Sequence, residues 1–374
     1  MVDNTKIMTQ NIHLINADVI TGLRSIKKNS IDLIVTSPPY YGLRDYQVDG
    51  QIGMEPTLEE YLERLLEVTA QLKRVMKPTG VLFWNHGDSY GGSGGSGGDY
   101  NKGGLREGQP KVSDIGGTPK CLNMQNERLV MRMIDNQGWI LRNRIIWHKP
   151  NGMPSSVQDR FSNSYEPVYM FTKSIKYHFD LDAVKIPNTP SKRFNINNRM
   201  HNGEYMFRKN PGDVWKIHTQ PHKDAHFAIF PDKLVEPLVK VGCPLKVCPE
   251  CGFIRERITE KFNFGIAESD TAFPDGNARS LSQKKQAYRN MGFECVPAPK
   301  TTGWTSCDCV SGWNPGTVLD PFAGSGTTMK IAKELGRNVI GIELNSDYCK
   351  IIKRNLMFHQ YTLGNIVNKF TVLR

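Results

Sequence analysis

Two apolar stretches, Ile31-Asp32-Leu33-Ile34-Val35 and Val81-Leu82-Phe83-Trp84, run without the alternation of a half-exposed strand. Continuous runs of this length are the pattern of strands buried on both faces of a parallel sheet. Between them Leu58, Tyr61, Leu65, Val68, Leu72 and Val75 recur at spacings of three and four, which predicts a helix with one core-facing stripe. Thr57, with Glu60 three residues on, predicts a capping box at its start, and Pro78-Thr79-Gly80 marks its end. Further strands are predicted at 12–18, 139–147, 165–171, 317–319 and 338–343, with Tyr177-His178-Phe179 as a hairpin mate for 165–171. Helices are predicted at 19–26, 126–137, 232–241 and 329–335. Strands alternating with helices predict an α/β fold around a mostly parallel sheet.

Candidate chemistry sits at the ends of two of these strands. Thr36-Ser37-Pro38-Pro39-Tyr40 follows the first apolar run. Two prolines end the ladder and stiffen the turn, leaving carbonyls free to accept hydrogen bonds. With the Ser37 hydroxyl before them and the Tyr40 ring after, the turn suits a planar amine, or simply closes a strand. Asp320-Pro321-Phe322-Ala323-Gly324-Ser325-Gly326-Thr327-Thr328 lies between a short strand and a helical pattern. A strand, a Gly-x-Gly turn and a helix N-terminus form a nucleotide-type cradle, in which Gly324 and Gly326 let the backbone approach a ligand. The next strand ends at Glu343, a carboxylate placed to accept ribose hydroxyls. Together these predict a nucleoside-containing cofactor.

With 374 residues the chain is long enough for one large domain plus an insertion or small second domain. No run spans a bilayer and the polar N-terminus lacks a signal-peptide core, so no membrane role and a cytoplasmic location are expected. The formal charge of +11 suggests a polyanionic partner. Much of the excess lies in one stretch, where Lys185, Lys192, Arg193, Arg199, Arg208, Lys209, Lys216 and Lys223 face only Glu204 and Asp213. That stretch reads as a nucleic-acid contact or as a solvated basic loop. Cys248-Pro249-Glu250-Cys251-Gly252 is a zinc-knuckle hairpin, and Cys307-Asp308-Cys309 supplies a second pair of thiolates for a closed, structural zinc site. Residues 89–104 are rich in Gly and Ser with little to bury, and read as a mobile loop.

The pair of strand-end motifs resembles the beta-group amino DNA methyltransferases, which use S-adenosylmethionine. Ser37-Pro38-Pro39-Tyr40 matches that family's catalytic tetrapeptide, and Phe322-Ala323-Gly324-Ser325-Gly326 its cofactor loop. The resemblance implies a Rossmann-like methyltransferase fold, mostly parallel with an antiparallel hairpin edge, plus target-recognition and zinc-binding insertions. It implies catalysis by Ser37, Pro38, Pro39 and Tyr40. It also implies cofactor contacts from Asp18, Asp320, Phe322, Ala323, Gly324, Ser325, Gly326, Thr327 and Glu343, although Asp18 equally reads as a helix cap. The basic stretch then carries target recognition, through Arg193, Arg199, Arg208 and Lys209. The implied partner is double-stranded DNA, with a possible cognate restriction endonuclease, for a monomer or homodimer. The expected organisation is a catalytic half at 1–184, target recognition at 185–225, a cofactor-side helix at 226–242, a zinc-binding insertion at 243–314 and a cofactor-binding half at 315–374.

The expected reaction is methyl transfer to the exocyclic amine of a flipped base. Cytosine N4 is preferred because Ser37 is a neutral hydroxyl and Tyr40 with Tyr41 predict a narrow pocket. Adenine N6 is the alternative. A catalytically silent zinc-containing DNA-binding protein is the reading from another class. No Pro-Cys dipeptide occurs, which argues against methylation at cytosine carbon 5.

Overall fold

The computed structural model describes residues 10–43, 48–92, 118–152, 157–187, 200–201, 204–205, 207–220, 231–260, 296–297, 300–358 and 368–373. Nine strands form one sheet: β1 (Gln10–Asn16), β2 (Ile31–Thr36), β3 (Met76–Asn85), β4 (Ile140–His148), β5 (Tyr165–Thr172), β6 (Val214–Lys216), β7 (Thr317–Asp320), β8 (Asn338–Glu343) and β9 (Asn368–Leu373). Their spatial order is β6-β4-β5-β3-β2-β7-β8-β1-β9. Every neighbouring pair is parallel except those made by β5, which runs antiparallel to both β3 and β4.

The continuous apolar runs are explained by two cores. Ile34, Leu82 and Trp84 point to one face, where they meet α1 (Val19–Ser25), α2 (Leu58–Val75) and α3 (Gln125–Gln137). Leu33, Val35, Val81 and Phe83 point to the other, against α4 (Asp232–Gly242), α5 (Thr327–Glu334) and α6 (Ser346–Phe358). A strand with helices on both faces has no solvent side to make polar. The capping box forms as expected: Thr57 Oγ1 accepts from Glu60 N, and the Glu60 carboxylate accepts from Thr57 N.

β2 and β7 are neighbours in space although 284 residues separate the hydrogen-bonded pair Thr36 and Asp320. After β2 the chain passes to α2 on one face, and after β7 to α5 on the other. Strand connections leaving in opposite directions open a crevice beyond the carboxyl ends of the strands.

Several expectations change. Tyr177-His178-Phe179 is not the hairpin mate of β5; that place belongs to β4, whose Ile145 and Trp147 pair with Val168 and Glu166. Tyr177 instead packs against the second core. Pro78-Thr79-Gly80 does not precede the strand but lies inside β3, where a register shift opposite Ile31 and Leu33 absorbs it. The basic stretch is not wholly without structure. Ile186–Pro187 and Val296–Pro297 both pair with Phe207–Lys209, and β6 extends the main sheet. Arg193 and Arg199 lie outside the described residues, as does the Gly/Ser-rich loop from residue 93 onward. No helix among the described residues is long and apolar enough to cross a membrane.

Candidate active site

A cavity of about 320 Å³ occupies the crevice. One half is lined by Asp18, Asp320, Phe322, Ala323, Gly324, Ser325, Thr327 and Glu343, and the other by Ser37, Pro38, Pro39, Tyr40, Asn85, Trp147, Lys149 and Glu166. Of the residues expected from sequence to touch a cofactor or do chemistry, only Gly326 is absent from the lining. Its role is local: with φ 86 it caps α5, and a Cβ there would stand 3.0 Å from Ile352. Gly324 has φ 54, and the nearest atom to an added Cβ is the Phe322 carbonyl at 4.0 Å, so the backbone is open above it.

Buried carboxylates shape the first half. Asp320 accepts from Thr36 Oγ1 at 2.8 Å and from Phe322 N at 3.1 Å. It therefore ties the two strand-end loops together, and burial pushes its pKa up to about 6. Glu343 accepts from Gly324 N and Asn345 N, each at 2.8 Å, and burial pushes it up to about 7. Asp18 caps α1, accepting from Ile20 N and Thr21 N, and also lines the cavity.

In the second half Ser37 Oγ donates to Tyr40 Oη at 3.3 Å. Tyr40 Oη lies 3.1 Å from Glu166 Oε2 and 3.3 Å from Asn85 Oδ1; its single proton serves the nearer carboxylate. Burial, and next the Glu166 charge, hold the Tyr40 phenol well above its ordinary value. Beneath the loop Tyr61 Oη donates to the Pro39 carbonyl at 2.8 Å and contacts His86 Nε2 at 2.9 Å. Burial pushes His86 down to about 3, so its ring is neutral. Since the Tyr61 proton is spent on Pro39, Nε2–H is the donor of that pair. Among the described residues no donor reaches the Pro38 carbonyl, which remains open as an acceptor. Tyr41 does not narrow the cavity as expected: it is buried against Tyr61 in the first core. Trp147 lines the cavity together with Tyr40.

Sequence reasoning missed Tyr61, Trp147, Lys149 and Glu166 as site residues. The available signal was positional: Lys149 directly follows a strand whose carboxyl end faces the crevice. Tyr61 was legible only as one member of the apolar stripe of α2.

Away from the crevice, the sulfurs of Cys248, Cys251, Cys307 and Cys309 lie within 4.8 Å of one another. The hairpin between the first two closes through Cys248 N to Phe253 O and Gly252 N to Cys248 O, with Gly252 at φ 75. Val247 and Asn314 exchange two backbone bonds, fastening the cluster to the chain that enters β7. Cys243 is buried apart from it. Lys209 is exposed; Arg208 belongs to the short strand Phe207–Lys209, and its side chain lies outside the described residues.

The sequence profile of a family described as DNA methylase matches residues 31–245 and 313–354. The interruption holds the four clustered cysteines. The type II methyltransferase M.SmaI of Serratia marcescens is 31% identical over 351 residues, covering 92% of this chain and 90% of that protein. M.SfiI of Streptomyces fimbriatus, also a type II methyltransferase, is 37% identical over 392 residues, covering 88% of this chain and 87% of that protein. Among solved structures, the cytosine-N4-specific PvuII DNA methyltransferase matches with a TM-score of 0.55 at 18% identity, over 96% of this chain and 89% of that one. The likeness is one of fold, and it is the Rossmann-like methyltransferase fold expected from the sequence.

Proposed function

The chain belongs to the N6/N4 DNA methylase family, and from that premise we propose that it transfers a methyl group from S-adenosylmethionine to the N4 amine of a cytosine flipped out of double-stranded DNA. The observation that carries this reading is the convergence of Ser37-Pro38-Pro39-Tyr40 and Phe322–Gly326 at one cavity, joined by the Thr36–Asp320 hydrogen bond. The residues fit the cofactor: Gly324 leaves open space above its backbone, and Glu343 offers an acid to ribose hydroxyls at the end of the next strand. When bound, S-adenosylmethionine supplies an electrophilic methyl group.

The chain's own residues position the acceptor. A conjugated exocyclic amine is a weak nucleophile, because its lone pair is delocalised into the ring. Ser37 Oγ and the Pro38 carbonyl accept its two hydrogens and draw the nitrogen toward tetrahedral geometry, while Tyr40 stacks on the base. The base has to leave the duplex to reach a cavity set behind the strand ends. Cytosine is preferred over adenine because Ser37 is a neutral hydroxyl. Type II relatives support a restriction–modification setting with a cognate endonuclease. Arg208 and Lys209, with Arg193 and Arg199, are assigned to DNA contact.

The four thiols suit one structural zinc ion. A tetrahedral site with Zn–S bonds near 2.3 Å has sulfurs ~3.8 Å apart, and the four sulfurs here lie within 4.8 Å of one another. Calorimetry tests the cofactor assignment. The protein should bind S-adenosylmethionine, and Gly324→Val should abolish binding while the protein stays folded; equal affinity in parent and variant would remove the assignment.

A further inference from the structure

Lys149, the residue after β4, forms an ion pair with Glu166 of β5 inside the cavity, with side chains 18% and 22% exposed. Ion pairs removed from water gain little stability, because desolvation offsets most of their attraction. This pair is therefore weakly explained as a support for the fold. Its surroundings point elsewhere. Glu166 uses one oxygen for Lys149 and the other for the Tyr40 phenol, which in turn receives the Ser37 hydroxyl. An unbroken chain of polar contacts thus runs from the Ser37–Pro38 amine acceptors to the ammonium group. Lys149 Nζ also lies over the Trp147 ring, 4.3 Å from its centroid. An ammonium carries three N–H donors, and among the described residues Glu166 is the one acceptor that Lys149 has. Donor capacity is left over inside the cavity.

We propose that Lys149 reads the flipped base by donating to the ring nitrogen adjacent to the amine, N3 of cytosine, and that Glu166 is the residue that positions it. The inference rests on the methyltransferase reading and deepens it by assigning a residue to base choice. Cytosine presents an amine hydrogen and, next to it, a bare ring nitrogen, so it meets the acceptors at Ser37 and Pro38 and the donor at Lys149. Thymine presents a carbonyl and an N–H at the same places. It would set oxygen against oxygen and donor against donor, leaving buried polar groups unpaired. Adenine offers the same two-atom edge as cytosine, so this contact selects amino bases over keto bases, and the choice between cytosine and adenine falls to pocket width.

The test uses duplexes carrying the site found by sequencing DNA modified by the parent enzyme. The target is cytosine or 3-deazacytosine, in which a C–H replaces N3. With the parent, the deaza target should lower kcat/KM roughly 10- to 100-fold, the range for one hydrogen bond to a charged group. Lys149→Met should lose a similar factor on cytosine and nothing further on the deaza target, while Lys149→Arg should keep part of the discrimination. Unchanged S-adenosylmethionine affinity in Lys149→Met shows that the variant is folded. Losses that multiply, or a parent indifferent to 3-deazacytosine, would overturn the role of Lys149 and leave the methyltransferase reading standing. A parent that methylates no DNA would overturn both.

Discussion

Gly87 has no place in either strand-end motif, yet its replacement by alanine should disable the site. Gly87 does not have a left-handed φ, so alanine fits its backbone without strain. Space is the obstacle. An added Cβ would stand 2.6 Å from Tyr40 Cε2, 3.2 Å from Cζ and 3.3 Å from Cδ2. Carbon atoms in contact sit about 3.5–4.0 Å apart, so the ring has to retreat by about 1 Å. Its hydroxyl contacts with Ser37, Asn85 and Glu166 are already 3.1–3.3 Å long, and that movement breaks them. Overpacking of this kind costs about 1–3 kcal/mol of stability, and a misplacement of about 1 Å near the chemistry costs on the order of a hundredfold in rate. Single-turnover transfer of labelled methyl should therefore slow by about 10- to 100-fold in Gly87→Ala. Cofactor affinity by calorimetry should not change, because Gly87 does not line the cofactor half. Parent turnover in this variant would show that the Tyr40 ring position is not needed, and would remove the stacking role given to it.

Glu343 sets a pH dependence. Its carboxyl, raised by burial to about 7, has to be ionised to accept ribose hydroxyls, so cofactor affinity should fall by about tenfold per pH unit below that value and level off above it. Glu343→Gln should flatten the profile, and a parent profile flat from pH 5 to 8 would contradict the assignment. In the free protein the sign is opposite: a carboxyl raised above its unfolded value favours folding at low pH, and that contribution is lost as pH rises through 7. Thr36→Val removes the donor to Asp320 and should cost about 1.5–3 kcal/mol, as for a buried hydrogen bond to a charged group; denaturant titration showing no change would deny the strap between the two loops. Metal analysis should find about one zinc ion per chain, and none found, with all four clustered thiols alkylated in the native protein, would remove that site. Lys209→Ala should weaken DNA binding and flatten its salt dependence by about one unit if it contacts a phosphate.

The parts of the fold that local rules decide were legible. The apolar runs of β2 and β3 are long and continuous because both faces are buried, and the Thr57 capping box is written in adjacent residues. The Gly-x-Gly turn likewise needs only its own neighbours. What was not legible depends on the order of strands in the sheet. Tyr177-His178-Phe179 resembles a strand as well as β4 does, and only pairing decides between them. β9 has no local signal that it should lie beside β1 at the far end of the chain. Lys149 and Glu166 are 17 residues apart and look like ordinary surface charges until the β4–β5 hairpin brings them together. Tyr61 shows the same limit in another form. Its ring is core and its hydroxyl supports the Pro39 carbonyl, and the helical period reveals only the ring.

Methyl transfer to an exocyclic amine leaves a distinct modified nucleoside in the DNA. DNA incubated with the purified protein and isotopically labelled S-adenosylmethionine, digested to nucleosides and separated by mass spectrometry, should yield labelled N4-methylcytosine. N6-methyladenine as the main product would overturn the cytosine assignment alone. Label at carbon 5 of cytosine, or no labelled nucleoside at all, would contradict the account.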